Sequence, residues 1–139
     1  MGRVLVEARI ENIKDAWEVE TGQRAPADAR VVKVPDALVD TGATFLSLPS
    51  RLIKQLGLTP VRERTLRTAA GSRLAAMYDA VRLRVQDRDC LMEVVEIDDE
   101  APVLIGQIPL EAMDFVVDPK GQRLVGNPAH GGEWQIEAY

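Results

Sequence analysis

Ala37-Leu38-Val39-Asp40-Thr41-Gly42-Ala43-Thr44 is the stretch on which the reading turns. Three apolar residues announce a buried strand, an acidic residue then stands where a fourth would continue it, and Phe45 resumes the apolar run. A carboxylate set among apolar neighbours must be paired, hydrogen-bonded or protonated. Two readings fit: Asp40 opens an Asx-type turn at a strand end, as Asp followed by Gly often does, or its carboxylate is kept for chemistry. An Asp-[Ser/Thr]-Gly tripeptide arises by chance in roughly one chain in twenty of this length, so the surroundings have to decide.

Upstream, Val31-Val32-Lys33-Val34 leads through Pro35-Asp36 into the quoted stretch, and Val4, Val6, Ala8 and Ile10 alternate with Leu5, Glu7, Arg9 and Glu11 as a half-buried first strand. Between them, residues 11–30 are polar and read as a surface insertion, with a short helix over Asp15 to Thr21 stopping at Gly22. Downstream, Phe45, Leu46 and Leu48 run to Pro49-Ser50. Ser50 is placed to cap a helix over Arg51 to Leu56, and Gly57 ends it. Arg62 to Thr68 and Arg73 to Val85 form a long hairpin across Ala69-Ala70-Gly71-Ser72. Cys90 to Ile97 is a further strand, and Asp98-Asp99-Glu100 reads as a solvated acidic loop.

Val103-Leu104-Ile105 is a short apolar strand ending at Gly106, and Pro109 opens a helix with Leu110 and Met113 inward. Val116-Val117 and Arg123-Leu124-Val125 pair across Asp118-Pro119-Lys120-Gly121. Many short strands with one or two short helices predict a mainly β barrel or sandwich.

Composition narrows the function. The chain has 139 residues, enough for one domain and too few for two lobes. Its 17 basic and 22 acidic residues give a net charge of −5, which leaves no basic field for a nucleic acid backbone. Six aromatic residues, scattered from Trp17 to Tyr139, make no base-stacking platform. A single cysteine, Cys90, and a single histidine, His130, exclude an internal disulfide and a four-ligand Cys/His zinc site. The start turns polar too soon for a secretory leader and no apolar run reaches membrane-spanning length, so a cytoplasmic protein without a membrane partner is expected.

Taken in order, Leu38-Val39-Asp40-Thr41-Gly42-Ala43, the hairpin around Gly71, and Leu104-Ile105-Gly106 before a helix resemble the retropepsin-like aspartic peptidases, the single-domain relatives of pepsin found in retroviruses and bacteria. The resemblance spans about Val31 to Val125, two thirds of the chain. It implies a closed acid-protease-like β barrel over residues 1–126, working as an obligate symmetric homodimer. It further implies an aspartic endopeptidase without cofactor or metal, in which two Asp40 carboxylates share a proton and activate a water. The dyad titrates as a pair.

With one Asp-Thr-Gly per chain, the second carboxylate comes from a second copy. Asp36 and Asp118, at a strand edge and in a hairpin turn, are poor intramolecular substitutes. By the same resemblance Thr41 ties the two active loops together, Gly42 lets backbone and water approach, and Ala43 continues the loop. Ala70, Gly71 and Ser72 form the tip of a flap over an extended peptide substrate. The sequence departs from retroviral members in having one flap glycine, and in placing Gln107-Ile108 where they carry an Arg and an Asn or Asp.

Residues 127–139 read as a tail, either a dimer-interface strand at Trp134 to Tyr139 or a disordered end. His130 reads as an exposed tail residue, Cys90 as a buried inert thiol, and an apolar cleft is expected around Leu38, Val39 and Leu104. The competing function is a dimeric peptide-binding or assembly module of the same fold that cleaves slowly or not at all.

Overall fold

The computed structural model describes residues 3–135. Among them are nine strands: β1 (Leu5–Asn12), β2 (Val31–Val39), β3 (Leu46–Pro49), β4 (Pro60–Thr68), β5 (Gly71–Val85), β6 (Arg88–Ile97), β7 (Leu104–Ile105), β8 (Phe115–Asp118) and β9 (Arg123–Gly126). Three short helices, rather than one or two, join them: α1 (Ile13–Glu20), α2 (Ser50–Leu56) and α3 (Gln107–Ala112). None of the helices in the described residues is long and apolar enough to cross a membrane. The fold is mainly β and consistent with an acid-protease-like domain.

Seven strands share one sheet in the order β1-β2-β7-β3-β6-β5-β4, and β1 pairs a second time, with β5. Inward positions two residues apart, such as Val81, Leu83 and Val85 on β5 and Leu46 and Leu48 on β3, are almost wholly excluded from water and build the main core with Ile10, Leu56, Val94 and Ile105. This is the burial that period-two patterning specifies. β8 and β9 form a separate ribbon that closes on the core through Phe115 and Leu124.

Residues 11–30 are more than a surface insertion. Asn12 is buried, its side chain accepting from Asp15 N at 3.1 Å and donating to Leu56 O at 2.8 Å, so it caps α1 and ties it to the end of α2. Asp15 has no exposed surface and accepts a fork from Arg30, at 2.7 Å from Nε and 3.0 Å from Nη2, plus the Arg30 backbone N–H at 2.9 Å. These bonds hold the Asp15 carboxyl down at about pKa 2, against the opposing effect of burial. The Arg30 guanidinium in turn lies against Gly57, where a Cβ would sit 1.9 Å from Nη1.

Other local expectations shift. Ser50 is the first residue of α2 rather than its cap; the Arg51 N–H is satisfied by Asp99 Oδ1 at 2.7 Å. The acidic loop is therefore not simply solvated, because one of its carboxylates serves a helix end. α3 begins at Gln107, two residues before Pro109, which is accommodated in the first turn. Residues 127–135 are docked. Buried Arg88 donates to Met113 O, Asp114 O and Gly132 O at 3.0, 2.8 and 2.6 Å, and Trp134 Nε1 donates to Ala112 O at 3.2 Å. Trp134 and Gln135 form no strand, and the remainder of that expected segment, 136–139, lies outside the described residues. His130 is not a free tail residue: its Nδ1 lies 2.7 Å from Asp114 Oδ2.

Candidate active site

β7 is the element that makes the site. It lies between β2 and β3, parallel to the first through Leu38↔Leu104 and Val39↔Ile105 and antiparallel to the second through Leu46↔Ile105. The chain leaving β2 must therefore cross over the end of β7 to reach β3, and residues 40–45 are that crossing. Asp40 N donates to Ile105 O at 2.9 Å, which fixes where the strand ends and the loop begins. Ala43 N donates back to Asp40 O at 3.0 Å, and Gly42 N donates to Asp40 Oδ1 at 2.9 Å. The Asx-turn reading thus holds, with Oδ1 ordering the turn, and Asp40 also lines a cleft. Asp40 is half-buried, not buried, so its charge needs no pairing partner within the chain.

Gly106 is where the loop meets the fold behind it. Its N–H donates to Phe45 O at 3.0 Å, and the next two N–H groups, of Gln107 and Ile108, donate to Ala43 O and Thr44 O, each at 2.9 Å. The first amides of α3 have no partners inside the helix, and three loop carbonyls satisfy them. This contact is too close for a side chain: a Cβ on Gly106 would lie 2.5 Å from Phe45 O and 2.7 Å from Ala43 O. Leu104-Ile105-Gly106 thus act as one unit, two strand residues that position the loop and a glycine that admits it. Thr41 and Gly42 stand exposed at the loop's tip, with Ala43 half-buried behind them.

A cleft of about 730 Å³ separates this loop from the β4–β5 hairpin. Its floor is apolar. Ala75, Met77 and Val95 form a second buried cluster, with Phe45, Leu66 and Ile97 packed on it. Leu104 joins the lining as expected, whereas Leu38 and Val39 do not. Asp40 is the one carboxylate among the lining residues, and neither Asp36 nor Asp118 reaches it.

The hairpin turns at Ala69-Ala70, and Gly71 opens β5 opposite Thr68 with φ +121°, a conformation that suits glycine. Ala70 therefore lies in the turn itself, and Gly71 and Ser72 lie on the strand leaving it, Ser72 opposite Arg67. β4 pairs only with β5 and is exposed along nearly its whole length, so the ribbon projects over the cleft with solvent on its far side.

Sequence reasoning did not reach the residues that line this ribbon and floor. Cross-strand pairing puts Arg62, Arg64, Leu66, Arg73, Ala75 and Met77 on one face, and the burial of Ala75 and Met77 identifies it as the cleft face. Alternation along the two strands carried that signal once the register was known. Cys90 behaves as expected: it is buried, burial pushes its thiol up to about 12, and it is not among the cleft's lining residues.

A protein-family model described as aspartyl protease matches residues 27–108, more than half of the chain. The match takes in β2, the Asp40 loop, the hairpin and the Leu104-Ile105-Gly106 unit. No curated protein matches the chain.

Proposed function

The chain belongs to the aspartyl protease family, and on that premise we propose that it is an aspartic endopeptidase that cleaves peptide bonds as a symmetric homodimer. The observation that carries this reading is the solitary carboxylate: Asp40 alone lines a cleft of peptide-accommodating size, on a loop whose tip is exposed. One carboxylate cannot be both base and acid in the same step. Two can, if they share one proton.

In the proposed cycle one Asp40 carboxylate takes a proton from a water lying between the pair while the other gives its proton to the carbonyl oxygen of the scissile amide. The water oxygen bonds to the carbonyl carbon, giving a tetrahedral diol. The C–N bond then breaks as the nitrogen takes a proton from one carboxyl group and a hydroxyl of the diol gives its proton to the other carboxylate, so that a carboxylic acid and an amine leave and the dyad again holds one proton. Gly42 N, already donating to Oδ1, holds one oxygen in place and leaves the other directed at the water. Gly42 has no side chain to obstruct the approach, and a Cβ there would come within 3.2 Å of Asp40 Oδ1.

The exposed tip at Thr41 suits a contact across the two-fold axis that ties the two loops together. The hairpin supplies the flap, with Ala70, Gly71 and Ser72 around its turn, and its free backbone groups offer an extended peptide strand-like hydrogen bonds. The double pairing of β1, to β2 and to β5, supports reading the main sheet as a barrel closed on itself.

Asp40→Asn tests the reading directly. The amide keeps the oxygen that accepts from Gly42 N, so the fold should persist, while the dyad loses its ionisable group. Cleavage of a mixed peptide library should fall by at least about a thousandfold, the scale on which loss of an essential general acid–base group is felt. Cleavage that continues at the wild-type rate would show that Asp40 is not the catalytic group, and no cleavage by either protein would leave only a peptide-binding module of this fold.

A further inference from the structure

The cleft is more cationic than the molecule that carries it. The protein has a net charge of −5, yet the cleft lining holds Arg64, Arg67 and Arg73 against the single carboxylate of Asp40. Register sorts these arginines. Arg64 lies opposite Ala75 and Arg73 opposite Leu66, so both belong to the face that looks onto the cleft floor, whereas Arg67 lies opposite Ser72 on the other face. Arg62 shares the inner face but is neutralised by Glu93, to which its guanidinium is hydrogen-bonded. Arg64 is seated over the Phe45 ring, 5.4 Å from its centroid, an arrangement that fixes the guanidinium at the cleft wall without consuming its charge. Among the described residues no carboxylate pairs with Arg64 or Arg73.

Apart from the seat of Arg64 on Phe45, the two unneutralised guanidinium groups have no structural use that the fold reveals. They hold no strand pair together and satisfy no acidic neighbour. In a concave site with low-dielectric walls such charges focus a positive field and favour an anionic guest. Guanidinium recognises a carboxylate through paired N–H donors, a stronger and more directional contact than a neutral hydrogen bond. The remaining lining argues for an isolated carboxylate on an otherwise apolar chain rather than a run of phosphates: Phe45, Leu66, Met77, Val95 and Ile97 call for apolar groups, and Asp40 would repel a continuous polyanion.

We propose that Arg64 and Arg73 are specificity-determining residues that select peptide segments carrying a Glu or Asp side chain close to the bond to be cut. The proposal rests on the peptidase reading for the scissile bond, but the charge preference is a property of the cleft and is measurable without catalysis.

The experiment has two arms. In the first, wild-type protein and an Arg64→Gln/Arg73→Gln double variant digest the same randomised peptide library, and the cleaved products are sequenced. In the second, Asp40→Asn protein, with and without the two arginine substitutions, is titrated with matched peptides that differ only in Glu against Gln. The expected result is enrichment of Glu and Asp near the cleaved bonds, lost in the double variant. The Glu peptide should bind about tenfold tighter than its Gln partner, the size of one charge-assisted pair, with the margin abolished by the double substitution and narrowed by salt. Equal binding of the two peptides, or a preference that survives removal of both arginines, overturns the proposal even if the library is cleaved. An uncleaved library with a Glu preference that depends on the arginines overturns the peptidase reading and leaves the recognition intact.

Discussion

Gly106 shows how narrowly the site is built at the level of single residues. Its absent side chain is what allows three carbonyls of the Asp40 loop to reach the first amides of α3. Gly106→Ala forces a methyl group against Phe45 O and Ala43 O, and the atoms it meets are backbone, which does not swing aside. We predict a loss of roughly 1–3 kcal/mol of stability by denaturant unfolding, the range for overpacking a tight site. Under the proposed function, catalysis should fall by a larger factor than unfolding alone accounts for, because the displaced element is the loop that carries Asp40. Asp15 makes the opposite kind of contribution, one of charge.

The folded Asp15 pKa of about 2 lies below the ordinary 3.8, so its stabilisation is fully present above about pH 3.8 and is lost as the pH falls through about 2. Asp15→Asn should cost roughly 1.5–3 kcal/mol at neutral pH, the range for a hydrogen-bonded charged group. The gap to wild type should then narrow in acid unfolding experiments as the pH drops across that window. A gap that stays constant with pH would mean that shape, not charge, holds Arg30 in place.

At the scale of elements, the β4–β5 hairpin is the part most free to move. Its outer strand has one neighbour and almost no buried surface, and a two-stranded ribbon is marginal where it runs beyond its packed residues. Gly71, at φ +121°, sets its turn with no neighbour crowding the position of a Cβ. Gly71→Ala therefore acts through backbone strain alone, about 1 kcal/mol. Amide hydrogen exchange over 65–74 should speed up by about fivefold, the change that this free energy implies. Exchange in β5 beyond Val81, anchored in the core, should stay as it was. Faster exchange throughout the sheet would show that the ribbon is not an independent unit.

The elements also show what was readable in advance. Strands β2, β5 and β6, the ending of α2 at Gly57 and the order of loop, hairpin and Leu104-Ile105-Gly106 all follow from local periodicity and punctuation, which act between near neighbours. The rest depends on partners far along the chain. Asp15 looks like a surface residue until Arg30 folds onto it, and Asp99 caps a helix 48 residues away. His130 meets Asp114 across 16. Asp40 itself stands out in sequence, but its half-exposed setting comes from the crossing over β7, and the arginine face exists only once Arg64 is paired with Ala75 and Leu66 with Arg73.

For the whole molecule the governing proposal is stoichiometric: one carboxylate per chain, two per catalytic centre. Mixing wild-type protein with Asp40→Asn protein under conditions that allow subunits to exchange measures that number without any knowledge of the natural substrate. If each centre needs an Asp40 from both copies and the variant pairs as well as the wild type, only wild-type pairs work, and the active fraction of dimers is the square of the wild-type fraction. Total peptidase activity of an equal mixture, at fixed total protein, should be about a quarter of that of the wild type alone. Activity that instead falls in straight proportion, to about half in the equal mixture, would mean that each chain cuts with its own carboxylate and would contradict the shared dyad.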